Sequence, residues 1–122
     1  MTLTREEILA LTSGSQLSAL VAEIVMEYVW IAPKYAGEQG YWWSPKSCKE
    51  VFIFNPSKDI SAAWEVADEL KIAIIPQSSS APDNLKYLAR AEWDFRQKEI
   101  DVFAATAPEA ISKVALLMVL KL

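Results

Sequence analysis

Histidine is absent from this chain of 122 residues, and cysteine occurs only once. Histidine is the commonest general base near neutral pH and the commonest ligand of transition metals. Without it, no Ser–His or Cys–His nucleophile pair can form within the chain, and a zinc site would have only Cys48 and carboxylates as ligands. We therefore expect no enzymatic activity, no metal and no cofactor. Catalysis by carboxylates, lysine or tyrosine is the route that composition leaves open.

Other absences exclude further classes of protein and of binding site. The single cysteine excludes an internal disulfide, which favours a reducing, cytoplasmic compartment. No apolar run reaches the roughly eighteen residues that a membrane span needs. The start, Met-Thr-Leu-Thr-Arg-Glu-Glu, lacks the apolar core of a secretion signal. Gly14, Gly37 and Gly40 are too scattered for a phosphate-binding loop. The net charge of −4 argues against binding to duplex nucleic acid, which needs clustered lysine and arginine.

Apolar residues are plentiful, at 52% against 23% charged residues. That balance is typical of a globular protein, and the length fits a single domain over residues 1–122. Thr4 and Glu7 have the spacing of a capping box, which predicts a short helix within residues 1–13 that can be peripheral. A second helix is predicted from residue 16, because apolar residues recur there at helical spacing: Leu17, Leu20, Val21, Ile24, Val25 and Tyr28.

The segment around which the rest of the chain is organised is a strand followed by a helix. Val51–Phe54 form an apolar run of strand length, which the following Asn-Pro pair stops. The spacing then changes to that of a helix, which Ser57 or Asp59 can cap. Because Trp64 is the largest side chain of the helical stripe, we expect it to anchor the helix in the core. The stripe consists of Ile60, Ala63, Trp64, Ala67 and Leu70.

Large aromatic rings are concentrated in one short stretch. We interpret Gly40–Trp43 and Glu50–Phe54 as a hairpin joined by a Ser-Pro-Lys-Ser turn. The rings form either a cluster at the edge of the core, the commoner fate of aromatic side chains, or an exposed surface that stacks on a base, a sugar or a protein partner. Because Trp42 and Trp43 are adjacent on a strand, one of them faces away from its neighbour and is an interface candidate. The rings are Trp30, Tyr35, Tyr41, Trp42 and Trp43.

The second half of the chain predicts three more strands. Residues 71–76 form a short apolar run, interpreted as a buried strand, and a Ser-rich loop follows over residues 77–83. Residues 85–96 alternate between apolar and charged side chains, which indicates a long antiparallel strand with one wet face. A polar turn and a strand over residues 100–105 complete a second hairpin.

The last helix begins at a second capping box, formed by Thr106 and Glu109. The sequence that follows is apolar on nearly every side of the helix. Such a helix must be covered on more than one side, either by the rest of the fold or by another subunit. In the second case the chain is a homo-oligomer, and Leu117 and Met118 are the candidate interface residues.

The order of these elements predicts the fold class. Helices alternate with strands that short turns join, so the strands are antiparallel. We therefore expect an α+β layered sandwich, with about three main helices and a mostly antiparallel sheet of four to five strands.

Candidate groups for ligand chemistry are few. Arg90 and Arg96 lie on the charged face of the long strand and can hold an anionic ligand, while Glu92 and Asp94 take a ribose or an amine. The simpler interpretation is a solvated face of neutralising pairs. Glu92 and Asp94 share that wet face, whereas paired catalytic carboxylates need two different environments. Cys48 has lysines on either side, which can lower its thiol pKa, but without histidine we interpret it as an incidental thiol.

Three helical segments together resemble the phage ABA sandwich domain, a small family of phages and prophages with helix, sheet and helix layers. They are Gln-Leu-Ser-Ala-Leu-Val-Ala-Glu-Ile-Val-Met at 16–26, Asp-Ile-Ser-Ala-Ala-Trp-Glu-Val-Ala-Asp-Glu-Leu at 59–70, and Ala-Thr-Ala-Pro-Glu-Ala-Ile-Ser-Lys-Val-Ala-Leu-Leu at 105–117. Their order and spacing match the whole length of such domains. None is a chemical motif, so the family carries over no catalytic residues. The resemblance implies an accessory protein in a bacterial host.

We therefore expect a non-enzymatic binding module that associates with itself through the last helix or through an exposed tryptophan. The alternative is a sponge that counters host defence by sequestering a nucleotide-type signal. A weak carboxylate enzyme ranks last. For a ligand, whether small nucleotide or protein, the candidate binding residues are Tyr41, Trp42, Trp43, Arg90 and Arg96.

Overall fold

The computed structural model describes residues 3–93 and 98–122. These residues form four α-helices and two three-stranded antiparallel sheets. The α+β class is as predicted, but the strands form two small sheets rather than one of four to five strands. The physical reason is local pairing, because each sheet joins only strands that follow one another in the chain. The helices are α1 (Arg5–Ala10), α2 (Ser15–Leu20), which continues into a π-helical turn over Val21–Val25, α3 (Ile60–Leu70) and α4 (Ala107–Leu120).

The first sheet has the strand order β1-β2-β3 and the second has the order β4-β5-β6. Each is a simple meander, in which neighbouring strands run antiparallel. The predicted aromatic hairpin is β2 and β3, and the predicted long alternating strand is β5. The strands are β1 (Val29–Ile31), β2 (Tyr41–Ser44), β3 (Lys49–Val51), β4 (Ala73–Pro76), β5 (Tyr87–Trp93) and β6 (Lys98–Ala104).

The core is built around α4, which is buried along most of its length. Every residue from Ala110 to Leu117 is buried. Helices α1, α2 and α3, the π-turn and strands β5 and β6 all contact α4. The fold itself therefore covers this helix, and Leu117 has no exposed surface. The interface prediction does not hold at Leu117, because its side chain is already packed inside its own chain. Met118 is half-buried and keeps some surface.

Helix α3 packs with a face that is rotated from the one predicted and that shares Ala63 and Ala67 with it. Asp59 caps its start as expected, with its carboxylate accepting from the Ser61 amide at 3.2 Å. The buried positions are Ala62, Ala63, Val66 and Ala67, whereas Trp64 is 63% exposed. The prediction that Trp64 anchors the core is therefore wrong. Small side chains allow α3 to lie close to α4, and a tryptophan ring at that contact would force the two helices apart.

Two predicted strands are also corrected. Strand β3 ends at Val51, so Phe52 and Ile53 leave the sheet and are exposed, although Phe54 is buried. The apolar run that predicted a buried strand is β4, which lies at the edge of the second sheet. Within β4 only Ile74 is even half-buried, although Ile72, which precedes the strand in the predicted run, is buried. An apolar run forms a buried strand only where other elements cover both of its faces. The sequence of the run does not show whether such elements are present.

No helix within residues 3–93 and 98–122 is long and apolar enough to cross a membrane.

Candidate functional site

The aromatic hairpin divides its side chains between two faces of the first sheet. In the register of β1, β2 and β3, Trp42 lies opposite Trp30 and Val51, while Trp43 lies opposite Val29 and Glu50. Residues paired in this way share a face, and residues adjacent along a strand point to opposite faces. Trp42 is only 9% exposed and points inward, whereas Trp43 is half-buried and points outward. The structure thus identifies Trp43 as the tryptophan that faces away from the core.

The outward side of the first sheet, here called the outer face, is almost entirely apolar. Tyr41 lies opposite Ile31, and the Tyr41 ring is 5.5 Å from that of Phe52. Phe52 is 51% exposed, and Val29 is exposed to a similar degree. Antiparallel sheets that are covered on one side normally alternate to polar residues on the other. This face departs from that pattern, because it comprises Val29, Ile31, Tyr41, Trp43 and Phe52, with Glu50 as the polar exception.

The inward side of the hairpin forms one wall of a cleft, here called the aromatic cleft, with a volume of about 450 Å³. Trp30 and Trp42 meet edge to face with ring centroids 5.1 Å apart, and Trp30 is 48% exposed. A Cβ at Gly40 would collide with the Trp30 indole, so only glycine lets the ring lie in this position. The cleft is lined by Ser15, Ser18, Ala19, Glu23, Trp30, Trp42, Phe54 and Asn55.

A buried hydroxyl network holds the base of the aromatic cleft. Ser57 has no exposed surface, and its hydroxyl accepts from the Gly14 amide and donates to the Gly14 carbonyl, both at 2.9 Å. The Ser18 hydroxyl accepts from the Ser57 amide at 3.2 Å and donates to Asn55 Oδ1 at 2.5 Å. The network joins α2 to the segment between β3 and α3. The sequence signalled only Ser57, as a possible cap, and carried no signal for its partners.

Tyr28 is the described tyrosine with the most perturbed surroundings. Burial raises the pKa of its hydroxyl, and the nearby carboxylates of Glu65 and Glu69 raise that pKa further. The ring packs edge to face on Phe54 at 5.1 Å. Burial and the nearby carboxylates both favour the protonated hydroxyl over the phenolate.

Arg90 is held by acids rather than left open for an anion. Its guanidinium binds both carboxylate oxygens of Asp101, at 2.8 and 3.1 Å, and its Nε lies 3.2 Å from Glu99 Oε1. The Asp101 hydrogen bond is the main cause of the raised pKa of Arg90, and Glu92 adds to it. The candidate anion site at Arg90 is therefore occupied by the protein's own carboxylates, which repel a second anion. This is the neutralising network that the simpler interpretation expected.

Three further residues were candidates for ligand chemistry: Arg96, Asp94 and Cys48. Arg96 and Asp94 lie outside the described residues. Cys48 is exposed in the β2–β3 loop, and its Sγ is 3.6 Å from the Pro45 carbonyl oxygen. Within the described part of the chain, no three His, Cys, Asp or Glu side chains lie close enough to hold a metal ion. The structure also separates Trp42 and Trp43, on the first sheet, from Arg90, on the second.

The Arg90–Asp101 pair predicts how stability depends on pH. The Arg90 hydrogen bond lowers the pKa of Asp101 below its ordinary value of 3.8. A carboxyl whose pKa is lowered on folding stabilises the protein above the ordinary value, and this contribution is lost as pH falls through the folded pKa. Asp101→Asn is therefore expected to lower Tm by a few degrees at neutral pH and to have no effect at strongly acidic pH.

The measurement is thermal unfolding followed by circular dichroism over a pH series. Asp68→Asn is the matched control, because Asp68 pairs with Lys71 at 3.4 Å on a fully solvated surface and should not change the profile. A Tm difference for Asp101→Asn that stays constant down to the lowest pH would show that the ion pair is not its cause.

The fold and its surfaces define a small α+β protein whose first sheet carries Trp30, Tyr41, Trp42 and Trp43. The chain belongs to the phage ABA sandwich domain family, whose model matches residues 19–116. It is similar to a phage protein from Bacillus cereus ATCC 14579 of known crystal structure, with 24% sequence identity and a TM-score of 0.58. The alignment covers 83% of this chain and 86% of that chain. At this identity the similarity supports the fold alone. No curated protein matches the chain.

Proposed function

We propose that this phage domain is a non-enzymatic accessory module that acts by binding, and that it binds a second copy of itself through the outer face. The observation that carries the proposal is the apolar composition of that face, from which Tyr41, Trp43, Phe52 and Val29 project. A contiguous apolar patch on a small protein marks an interaction surface. Two outer faces can stack as two sheets do in a sandwich, with the same residues contributed by each copy.

The size of the outer face indicates the strength of this association. Five side chains on a three-stranded sheet make a contact at the small end of specific interfaces. We therefore expect a dimer that forms with increasing protein concentration rather than a permanent one. Helix α4, the other surface considered for self-association, is covered by its own fold and supports the proposal only at Met118.

The proposal is tested by measuring mass as a function of concentration, using sedimentation velocity. Wild-type protein is expected to shift from monomer to dimer between micromolar and near-millimolar concentration. Phe52→Ser is expected to weaken dimerisation by about tenfold, since a half-exposed aromatic ring in a small interface contributes on the order of 1–2 kcal/mol. Phe52 lies outside the strands, so this change leaves the sheet pairing intact.

Trp64→Ser is the matched control, because it removes an aromatic ring that is also more than half exposed but lies on α3. The proposal requires that this variant dimerise like the wild type. A wild-type protein that stays monomeric at every concentration contradicts self-association, and equal weakening by both variants moves the interface away from the outer face.

The non-enzymatic part of the proposal is supported by the groups that remain for catalysis. Arg90 is bound by Asp101 and Glu99, so its guanidinium is already paired within the protein. Turnover of a substrate by highly purified protein would contradict it.

The alternative, a sponge for a nucleotide-type signal in host defence, has one observation in its favour. Trp42 and Trp30 line a cleft whose volume is within the range of about 300–1,000 Å³ that small-molecule sites occupy. Against it, no lysine or arginine for a phosphate is among the described residues that line the cleft. Native mass spectrometry of protein purified gently from its host separates the two functions. Additional mass of nucleotide size, lost on denaturation, would favour the sponge.

A further inference from the structure

The aromatic cleft has a chemical character that neither self-association nor a nucleotide ligand requires. Its walls are the rings of Trp30, Trp42 and Phe54, and Glu23 is the charged side chain among the described residues that line it. The other polar groups of the lining are hydroxyls and an amide. A site with aromatic walls and one carboxylate attracts a cation and repels an anion, because the faces of aromatic rings carry partial negative charge.

The cleft is also pre-formed. The Ser18 hydroxyl holds the Asn55 side chain from one side, and the buried Ser57 holds the same segment of backbone through the Ser18 hydroxyl. On the other side the Trp30 ring lies over Gly40, in a position that any Cβ would block. Rigid walls reduce the entropy that is lost when a ligand binds. A ligand of matching shape therefore needs few contacts to bind measurably.

Glu23 is placed by an unusual piece of backbone. It lies in the π-helical turn Val21–Val25, where the Met26 amide donates to the carbonyl of Val21, five residues back, at 3.1 Å. Turns of this kind are rare and occur frequently at functional sites. Here the turn carries Glu23, the acid of the described lining, and this observation is independent of the aromatic rings.

From these observations we propose that the aromatic cleft is a binding site for a planar organic cation, a guanidinium or amidinium group on an apolar stem. The planar group stacks on the exposed indole of Trp30, and its N–H groups donate to the carboxylate of Glu23. Planarity is part of the proposal, because a guanidinium stacks on an aromatic face in a way that a strongly hydrated ammonium does not. The site does not depend on self-association, since the cleft and the outer face lie on opposite sides of the sheet.

The test uses three ligands of nearly equal shape and different charge: benzamidine, which is cationic, benzamide, which is neutral, and benzoate, which is anionic. Binding is followed by NMR through the indole Nε1–H signals of the tryptophans. The expected order of affinity is benzamidine, then benzamide, then benzoate, with the Trp30 and Trp42 signals shifting and the Trp64 signal unmoved. Equal affinities, or tightest binding of benzoate, would overturn the proposal.

Two variants assign the interaction to the named residues. Glu23→Gln is expected to weaken benzamidine binding by about fivefold and to leave benzamide unchanged, because Glu23 is exposed and acts only through its charge. Glu6→Gln changes the net charge equally on α1 and should have no effect. Trp30→Ala is expected to weaken both ligands by at least about tenfold. Glu23→Gln alters only an exposed side chain, so its effect on binding can be interpreted even if Trp30→Ala disturbs the hairpin.

A second pair of ligands distinguishes the sources of the cation. Agmatine carries a free guanidinium, whereas arginine with both ends blocked presents the group as a protein partner would. Tighter binding of blocked arginine supports a protein partner with an exposed arginine, and tighter binding of agmatine supports a small molecule. If benzamidine and both of these ligands fail to shift the Trp30 signal, the cleft is not a cation site.

Discussion

Leu117→Glu is expected to unfold the protein rather than to separate a dimer. Leu117 has no exposed surface and lies on α4, which every other helix and two strands of the second sheet contact. Removing a buried leucine side chain costs about 2–5 kcal/mol, and burying an unpaired carboxylate costs several more. The sum is comparable with the roughly 5–15 kcal/mol by which a small domain is stable. Urea unfolding followed by circular dichroism measures the loss.

Leu117→Ala extends this test to a variant that still folds. It is expected to lower the free energy of unfolding by about 2–5 kcal/mol without changing the mass in solution. Trp64→Gln is the control, because an exposed tryptophan should contribute less than about 1 kcal/mol despite its larger side chain. A folded Leu117→Glu protein of lower mass would place Leu117 at a subunit interface instead of in the core. A larger loss for Trp64→Gln than for Leu117→Ala would mean that α3 packs with its predicted face.

Ser57→Ala and Ser112→Ala are expected to have opposite effects, although both serines are fully buried. The Ser57 hydroxyl bonds to the amide and the carbonyl of Gly14 and lies 2.8 Å from the Ser18 hydroxyl. Its removal leaves the part-buried Gly14 amide without a partner, while the Gly14 carbonyl keeps the Ser18 amide as a donor, so the expected loss is about 1–3 kcal/mol. Ser112 Oγ, by contrast, has no hydrogen-bond partner among the described residues.

Ser112→Ala therefore removes a buried hydroxyl that gains nothing in the folded state. Alanine is also the better helix former, so the variant is expected to be neutral or more stable by about 0.5–1 kcal/mol. Equilibrium unfolding in urea compares both variants under the same conditions. Equal losses for the two would mean that the Ser57 network carries no specific stability, and that side-chain volume alone decides at both positions.

The predictions that the structure confirms depend on interactions between residues that are close together in the chain. Thr4, Asp59 and Thr106 each cap a helix by accepting from an amide two or three residues on. The alternation of residues 85–96 correctly indicates strand β5 within its described part, with Ala89 and Ala91 buried. These interactions are complete inside one segment, so a pattern of residue types is enough to predict them.

The predictions that failed concern which partner covers a segment. Trp64 has the right spacing for the core, but the small residues Ala62 and Val66 decide which face of α3 meets α4. The spacing along β5 alone predicts that Arg90 is free to bind an anion. In the structure, Asp101 of β6 lies directly opposite Arg90 and pairs with it. In both cases the residues that determine the contact lie on another face of the same helix or on a different strand. The spacing of residues along one segment does not predict such contacts.

By itself, the sequence determined the caps, the two hairpins, the alternation of faces on β2 and β5, and the family through its helical segments. The tertiary structure alone decided that the strands form two sheets and that α4 is covered by its own chain. It also decided that Trp30, Trp42 and Glu23 share one cleft. The physical reason is how far apart the interacting residues lie in the chain. Helix caps and the alternation of strand faces depend only on residues that are close in sequence. The Ser18–Ser57 contact joins residues 39 positions apart, and such contacts exist only once the elements have packed.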